Sequence, residues 1–242
     1  LLELDEAALP EKLARIVRAT RTGVPAHDVE GASRAIAEWG YPRAWLDFET
    51  IAFPIPRWIG TRPYEQVPFQ FSIHIEEADG TIFHKDFLSL DGADPRRSCA
   101  EALIKAIPEK ATIVAYNASF EKRVLDELAL KFPDLKAALL DMVERTVDLL
   151  PVTRSHWYHR DQRGSWSIKA VLPTMTDLDY KSMDVKDGTG AQEAYLEAIN
   201  LEPTDGRLML LATALKAYCA QNTWAMVAMA RFLSKKATSL DY

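Results

Sequence analysis

Cysteine is scarce in this 242-residue sequence: Cys99 and Cys219 are its only two. Two thiols are too few for a disulfide framework or a cysteine-built zinc site, so a reducing cytoplasm is the expected setting. Cys219 is expected simply to pack within a helix. No uninterrupted apolar stretch approaches the roughly 18 residues of a membrane-spanning helix, which excludes a helical membrane anchor from the reading. An excess of basic charge is also lacking. The 29 Lys and Arg face 35 Asp and Glu, a net charge of −6. That balance argues against a protein that coats nucleic acid along its length. It leaves room for a nuclease, whose metal site gathers carboxylates while its basic contacts stay local. The first residues show no basic-then-apolar pattern, and no internal repeat or low-complexity tract is visible. The first residue is Leu1 rather than Met, so the sequence is expected to come from a longer protein with an upstream domain. What is present is ordinary globular composition, 48% hydrophobic and 26% charged, enough for one sizeable α/β domain with a helical appendage.

Periodicity divides the chain near residue 40. Leu9, Leu13, Ile16 and Val17, then Val29, Ala32, Ile36 and Trp39, recur at helical spacing before Gly40. Residues 1–40 are therefore expected to form two helices, an appendage or linker, and 41–242 the main domain. A strand is expected over Ala44–Phe48. After a loop rich in Pro and Arg, Phe69, Phe71, Ile73 and Ile75 alternate with polar residues as in a half-buried strand. Ala78-Asp79-Gly80 supplies a hairpin turn into a strand over Ile82–Leu88. Helices are expected over Pro95–Ile107, Ser119–Phe132, Leu135–Val143 and about Gly206–Leu233, with strands at Thr112–Ala115 and Val147–Leu150. Three meandering strands followed by alternating helices and strands predict a mixed sheet of about five strands flanked by helices.

Asp47-Phe48-Glu49 ends the first apolar strand, and side chains two apart on a strand share a face. Alone, such a pair is commonly a solvated strand end. Two acids abutting a core strand are costly, however, unless something cationic compensates them. Phosphodiester hydrolysis without a protein nucleophile needs two divalent cations, one to generate hydroxide and one to stabilise the leaving oxygen. Hard oxygen ligands drawn from several chain segments hold such ions. A second segment, Tyr116-Asn117-Ala118-Ser119-Phe120-Glu121, runs from a short buried strand into a helix, with Asn117 suited to cap it and Glu121 one turn in. A capped helix with an acid at its positive end is the plain alternative. Tyr218 and Asn222 lie one helical turn apart on the last helix.

Asp-Phe-Glu-Thr, Tyr-Asn-Ala-Ser-Phe-Glu and Tyr-x-x-x-Asn, in that order, resemble the three motifs of the DEDD (DnaQ-like) superfamily of 3′–5′ exonucleases, in the branch with tyrosine in its third motif. The resemblance spans about Arg43 to Leu233. The stretches Gly60–Tyr64 and Pro68–Ser72 resemble an uncharacterised bacterial branch of it, sometimes joined to an N-terminal nuclease-like domain. The resemblance implies a ribonuclease H-like fold, a two-metal Mg²⁺ or Mn²⁺ site, and release of nucleoside 5′-monophosphates from single-stranded nucleic acid or the 3′ end of a duplex. It implies Asp47, Glu49, Glu121 and Asn222 as metal ligands and Tyr218 as the group that positions the attacking water. Asn117 matches the second motif's asparagine.

Two residues depart from the motifs. Glu121 is one methylene longer than the usual aspartate. Asn222 offers a neutral oxygen where an anion is expected. Losing a partner even beyond the ligands costs about 10–100-fold in metal affinity or activity, so losing a ligand's charge should cost at least that. Either the natural protein carries aspartate there and this chain an inactivating change, or the branch has lost or rerouted its metal site. The intact surrounding motifs favour the first. A nucleic-acid-binding module without chemistry is the competing function, and a structural module serving an upstream domain a third.

Accessory residues extend the candidate site. Arg154, Trp157, Arg160 and Arg163 fall in a basic, aromatic stretch expected to be a loop, where basic groups hold phosphates and rings stack on bases. Aromatics anchoring a surface loop are the alternative there. Arg62 borders the loop after the first motif as a phosphate contact or a solvated loop charge, Thr50 is expected to cap the strand or touch the terminal nucleotide, and Phe120 in the second motif is a candidate substrate contact.

Overall fold

The computed structural model describes residues 5–234. In chain order they form α1 (Glu11–Thr22), β1 (Ala26–His27), α2 (Val29–Ala37), β2 (Arg43–Ile51), β3 (Val67–Glu76), β4 (Ile82–Leu88), α3 (Arg96–Ala106), β5 (Thr112–Ala115) and α4 (Ser119–Lys131). Then follow α5 (Lys136–Glu144), β6 (Thr146–Asp148), α6 (Leu149–His156), β7 (Trp157–Tyr158), α7 (Ile168–Val171), α8 (Gly188–Ala198) and α9 (Gly206–Leu233). Two compact units are distinguished, one of residues 5–39, 148–179 and 225–234, the other of 40–147 and 180–224. One junction between the units lies between Trp39 and Gly40. Two later segments group with the N-terminal helices, which periodicity along the chain does not reveal. Residues 235–242 of the expected main domain lie outside the described residues.

The larger unit holds a five-stranded mixed sheet in the order β4-β3-β2-β5-β6. β2 and β3, and β3 and β4, run antiparallel, whereas β2 and β5 run parallel. Gly80 takes a φ of +89° in the β3–β4 hairpin, where a side chain would strain the backbone. Alternation along β2 sends Ala44, Leu46 and Phe48 to one face. There they meet Phe71, Ile73 and Ile75 of β3 and the buried residues of α3, α4 and α5, among them Leu103, Leu125 and Leu139. Each such Leu, Ile or Phe contributes about 1.5–3 kcal/mol by leaving water.

The opposite face carries Trp45, Asp47 and Glu49, in register with His74, Ser72 and Gln70 of β3. This polar face is covered by α9. Gln70 Nε2 donates to the Leu215 carbonyl at 2.9 Å, and Thr223 Oγ1 lies 2.9 Å from Ser72 Oγ and 2.8 Å from His74 Nδ1. The expectation that β3 is only half-buried is therefore corrected: Gln70 and Ser72 are buried like their apolar neighbours. The helix can cover this face because its Leu215 carbonyl and Thr223 hydroxyl meet the Gln70 amide nitrogen, Ser72 and His74, leaving Gln70 Oε1 buried without a partner.

In the smaller unit, β1 and β7 pair antiparallel, Ala26 with Tyr158 and His27 with Trp157. The His27 ring stacks on Phe232 at 5.2 Å, and Trp157 meets both rings edge-on. The strand expected over Val147–Leu150 is corrected as well. It ends at Asp148, whose carboxylate accepts the Leu150 N–H at 2.9 Å and starts α6. Among the described residues no helix is long and apolar enough to cross a membrane.

Candidate active site

β5 pairs with β2 only along Arg43–Trp45. Beyond Trp45 the edge of β2 on that side is released, and β5 ends at Ala115 before the turn into α4. The first and second motifs thus lie at the same, carboxyl end of two adjacent parallel strands, where α/β sheets collect ligand sites.

From the covered face of β2, Asp47 and Glu49 point at α9. Asn222 Nδ2 donates to Asp47 Oδ2 at 3.0 Å and to Glu49 Oε1 at 3.4 Å, across 175 and 173 residues of sequence. Leu215, Cys219 and Asn222 form one stripe of the helix at spacings of four and three residues, which is why they reach the same face of the sheet, Leu215 at β3 and the other two at β2. The Cys219 thiol donates to the Asp47 carbonyl at 3.6 Å and approaches Asp47 Oδ2 at 3.7 Å. One ligand atom each from Asp47, Glu49 and Cys219 lie within 4.8 Å of one another. Cys219 is thus a site neighbour that its expected packing role did not anticipate. Its spacing of three residues from Asn222 is the signal that could have placed it there.

Burial first, and the Asp47 and Glu49 charges after it, push the Cys219 thiol well up, so it stays neutral. The Tyr218 phenol is raised by burial and by the Glu49 charge, against the opposing pull of its hydrogen bond with Asn222. It is held as a protonated hydroxyl, able both to donate and to accept. Tyr180 meets the Tyr218 ring edge-on at 6.2 Å and is raised by the same burial.

Asn222 is 7% exposed, and its Oδ1 is buried without a hydrogen-bond partner. An amide carries an acceptor and a donor on one planar end. Half a turn of that end would present Oδ1 to the two carboxylates. The result is an all-oxygen donor set of the kind Mg²⁺ or Mn²⁺ takes, and the residues fit such an ion with one formal charge fewer than three acids would give.

Glu121 is 4% exposed in the first turn of α4, outside the 4.8 Å group of Asp47, Glu49 and Cys219. Asn117 is not the capping residue, a correction: Ala118 directly precedes the helix, while Asn117 sits before it at φ +69°, exposed. Asparagine tolerates this left-handed conformation better than most residues. Thr50 is buried and its hydroxyl donates to Gln66 Oε1 at 2.6 Å. Phe120 packs on the sheet core, with the Arg123 guanidinium 5.6 Å from its ring. Arg62 is exposed and 3.6 Å from Glu65.

Arg154, Trp157, Arg160 and Arg163 all fall in the smaller unit. Their stretch is not a loop but the end of α6, β7 and a 3-10 turn over Arg160–Gln162. Trp157 is 3% exposed, and its indole N–H donates to Thr174 at 3.1 Å. No face of that ring is open to a base, which corrects its expected stacking role. Arg154 has its guanidinium 5.9 Å from the Trp166 ring, whereas Arg160 and Arg163 are exposed. A cleft of about 730 Å³ between α8 and the start of α9 is lined by none of the motif residues.

A family described as Domain of unknown function (DUF2779) matches residues 44–167. The chain belongs to that family. The DUF2779 match contains Asp47, Glu49, Asn117 and Glu121 and ends before α9, so Tyr218, Cys219 and Asn222 lie outside it. Two Mycoplasma proteins are similar. One is the "Uncharacterized protein MG366 homolog" of Mycoplasma pneumoniae, 25% identical over 211 residues, covering 79% of this chain and 32% of that protein. The other is the "Uncharacterized protein MG366" of Mycoplasma genitalium, 22% identical over 214 residues with the same coverage. The chain therefore spans about a third of the length of the curated relatives it matches. No solved structure matches.

Proposed function

We propose that this chain is a divalent-cation-dependent 3′–5′ exonuclease domain of ribonuclease H-like fold, of the tyrosine-type DEDD group, acting in the cytoplasm on single-stranded nucleic acid or the 3′ end of a duplex. The observation that carries the reading is the meeting of Asp47 and Glu49 with Asn222, two hydrogen bonds spanning 175 and 173 residues. Acids on a core strand and a Tyr-x-x-x-Asn turn on a distant helix have no need to converge for packing alone. A mixed sheet that begins with an antiparallel meander and continues in parallel with β5 supports the fold assignment.

Mg²⁺ or Mn²⁺, when bound, lowers the pKa of water and stabilises the leaving oxygen. Asp47 and Glu49 would hold it with the Asn222 carbonyl, and Glu121 would act from the second motif. The neutral Tyr218 hydroxyl orients the attacking water through its lone pairs and proton. Thr50 and Phe120 border the terminal nucleotide. The amide at position 222 leaves the donor set short of one negative charge, so this chain binds a 3′ end better than it cleaves it.

The test is Mn²⁺-dependent release of mononucleotides from a 3′-labelled single strand by the parent chain and by Asn222→Asp. The substitution should raise release by at least about tenfold. Equal, negligible release by both would remove the catalytic assignment. A second reading, a module that binds nucleic acid without cutting it, is favoured by the way the Asn222 amide already bridges both acids. In that case a single strand binds without divalent ion, and Asp47→Asn leaves the affinity unchanged.

A further inference from the structure

A pocket of about 310 Å³ opens between the loop after the first motif and α4, lined in part by Arg62, Tyr64, Gln66, Arg123 and Glu127. It is linked to the first motif through Gln66. Gln66 is tied to Thr50, the neighbour of Glu49, at 2.6 Å. Arg123 lies on α4, the helix that begins in the second motif.

The loop is held in place from beneath. Arg96, 2% exposed, pairs with Glu65 at 2.8 Å and Asp94 at 2.7 Å, and donates to the Ile59 and Gly60 carbonyls at 3.3 and 3.4 Å. Lys131 adds a hydrogen bond to the Gly60 carbonyl at 3.3 Å. On this fixed loop Tyr64 takes a φ of +59°, an uncommon conformation for an aromatic residue, with its N–H bound to the Phe53 carbonyl at 2.9 Å. Strain held by its surroundings collects at ligand sites. Here it leaves the Tyr64 ring 72% exposed at the pocket.

The charges also suit a nucleotide. Glu65 is already engaged by Arg96 and by the Arg62 N–H at 2.8 Å. Glu127 has an oxygen, Oε2, that is buried without a hydrogen-bond partner. Burial and the Glu65 charge push its carboxyl up, against the pull of Arg123 and Arg62. Both guanidinium groups belong to exposed residues, Arg62 approaching Glu65 at 3.6 Å and Arg123 beside the Phe120 ring, so each keeps N–H donors for a phosphate. The amide of Gln66 and the Glu127 carboxyl offer donors and acceptors of the kind that read a base edge.

We infer that this pocket holds one nucleotide of a single strand beside the active site, with its phosphate between Arg62 and Arg123 and its base against Tyr64. The inference rests on the exonuclease reading for the strand's path and is testable apart from it. Binding of a fluorescein-labelled oligothymidylate to the full chain is followed in EDTA, where no cleavage occurs, across a salt series. Removing two phosphate contacts flattens the logarithmic salt slope by about 1.4 for a single strand. Arg62→Ala with Arg123→Ala should therefore lose about 7-fold less affinity than the parent between about 50 and 200 mM salt. Lysine at both positions should keep the slope. Tyr64→Ala should weaken binding at least about 5-fold with the slope unchanged, and Tyr64→Phe should restore it.

Parent-like affinity and slope in the folded double-alanine variant, or parent-like affinity in Tyr64→Ala, overturns the assignment, as does absence of binding by the parent. Free 5′-AMP that competes as strongly as the oligonucleotide overturns the strand assignment in favour of a free nucleotide. If Asn222→Asp releases no mononucleotide while the pocket variants lose binding, the exonuclease reading fails and the subsite stands. If it does release mononucleotide while the pocket variants bind like the parent, the subsite alone fails.

Discussion

Replacing Asn222 by Asp exchanges a donor for a third carboxylate at the position where the amide nitrogen now lies 3.0 Å from Asp47 Oδ2 and 3.4 Å from Glu49 Oε1. Two like charges at about 4 Å repel by about 4 kcal/mol at an effective dielectric of about 20. Two such repulsions rival the whole stability of a fold, about 5–15 kcal/mol. The new carboxyl group therefore takes up a proton, which at pH 6 limits the cost to about 3 kcal/mol, the work of protonating an aspartate of ordinary pKa about 3.9. In EDTA the variant should melt about 6–12 °C below the parent, at about 2–4 °C per kcal/mol for a chain of this size. An acid whose folded pKa is raised is penalised as pH rises above its ordinary value of about 3.9, so the deficit should shrink as pH falls toward that value. A divalent cation should close the gap too, because an ion at about 100 times its dissociation constant stabilises by about 2.7 kcal/mol. Differential scanning calorimetry of both forms, in EDTA and in MnCl₂, checks both signs. A variant that melts with the parent in EDTA and ignores Mn²⁺ would refute the convergence of these three side chains.

His74 is held down to about 4 by burial and then by the His84 charge. Its ordinary value of about 6.5 applies in the unfolded chain, so stability is full above about 6.5 and falls as pH drops toward 4. His74→Gln should remove much of that slope in urea titrations, and an unchanged slope would contradict the burial argument. Arg96→Ala leaves Glu65 and Asp94 without their buried partner and should cost about 3 kcal/mol in urea denaturation. A loss under about 1 kcal/mol would show that the loop is not anchored there. Tyr218→Phe in the Asn222→Asp background removes one hydroxyl without a cavity. It should leave the melting temperature nearly unchanged while lowering mononucleotide release at least about tenfold. Equal loss of both would make Tyr218 structural.

Much of the larger unit was legible because its elements are long and periodic. β3 is read from alternation and α9 from its amphipathic run, while the turn residues at Gly80 and the short apolar run of β5 mark the hairpin and the next strand. The pairing of Asp47 with Glu49 on one face follows from the same period of two. Other features depend on contacts no window of sequence contains. β1 and β7 are two residues long and exist only through each other. α6 begins at Leu149 with Pro151 in its first turn, which reads locally as a strand followed by a break. Gln70, Ser72 and His74 look like the wet side of β3, and only α9 makes them interior. Trp157 looked available to bases because its sequence neighbours are basic, yet its ring lies against His27 and Phe232. Cys219 was legible in principle, since it shares a helical face with Asn222.

The central claim is that β2 and α9 build a divalent-cation site from Asp47, Glu49 and position 222. Anomalous diffraction from Mn²⁺-soaked crystals of the Asn222→Asp variant measures it directly. The account predicts a manganese peak coordinated by Asp47, Glu49 and the substituted side chain, weaker or absent in the parent. A structure with ordered side chains and no anomalous peak between β2 and α9 would contradict it.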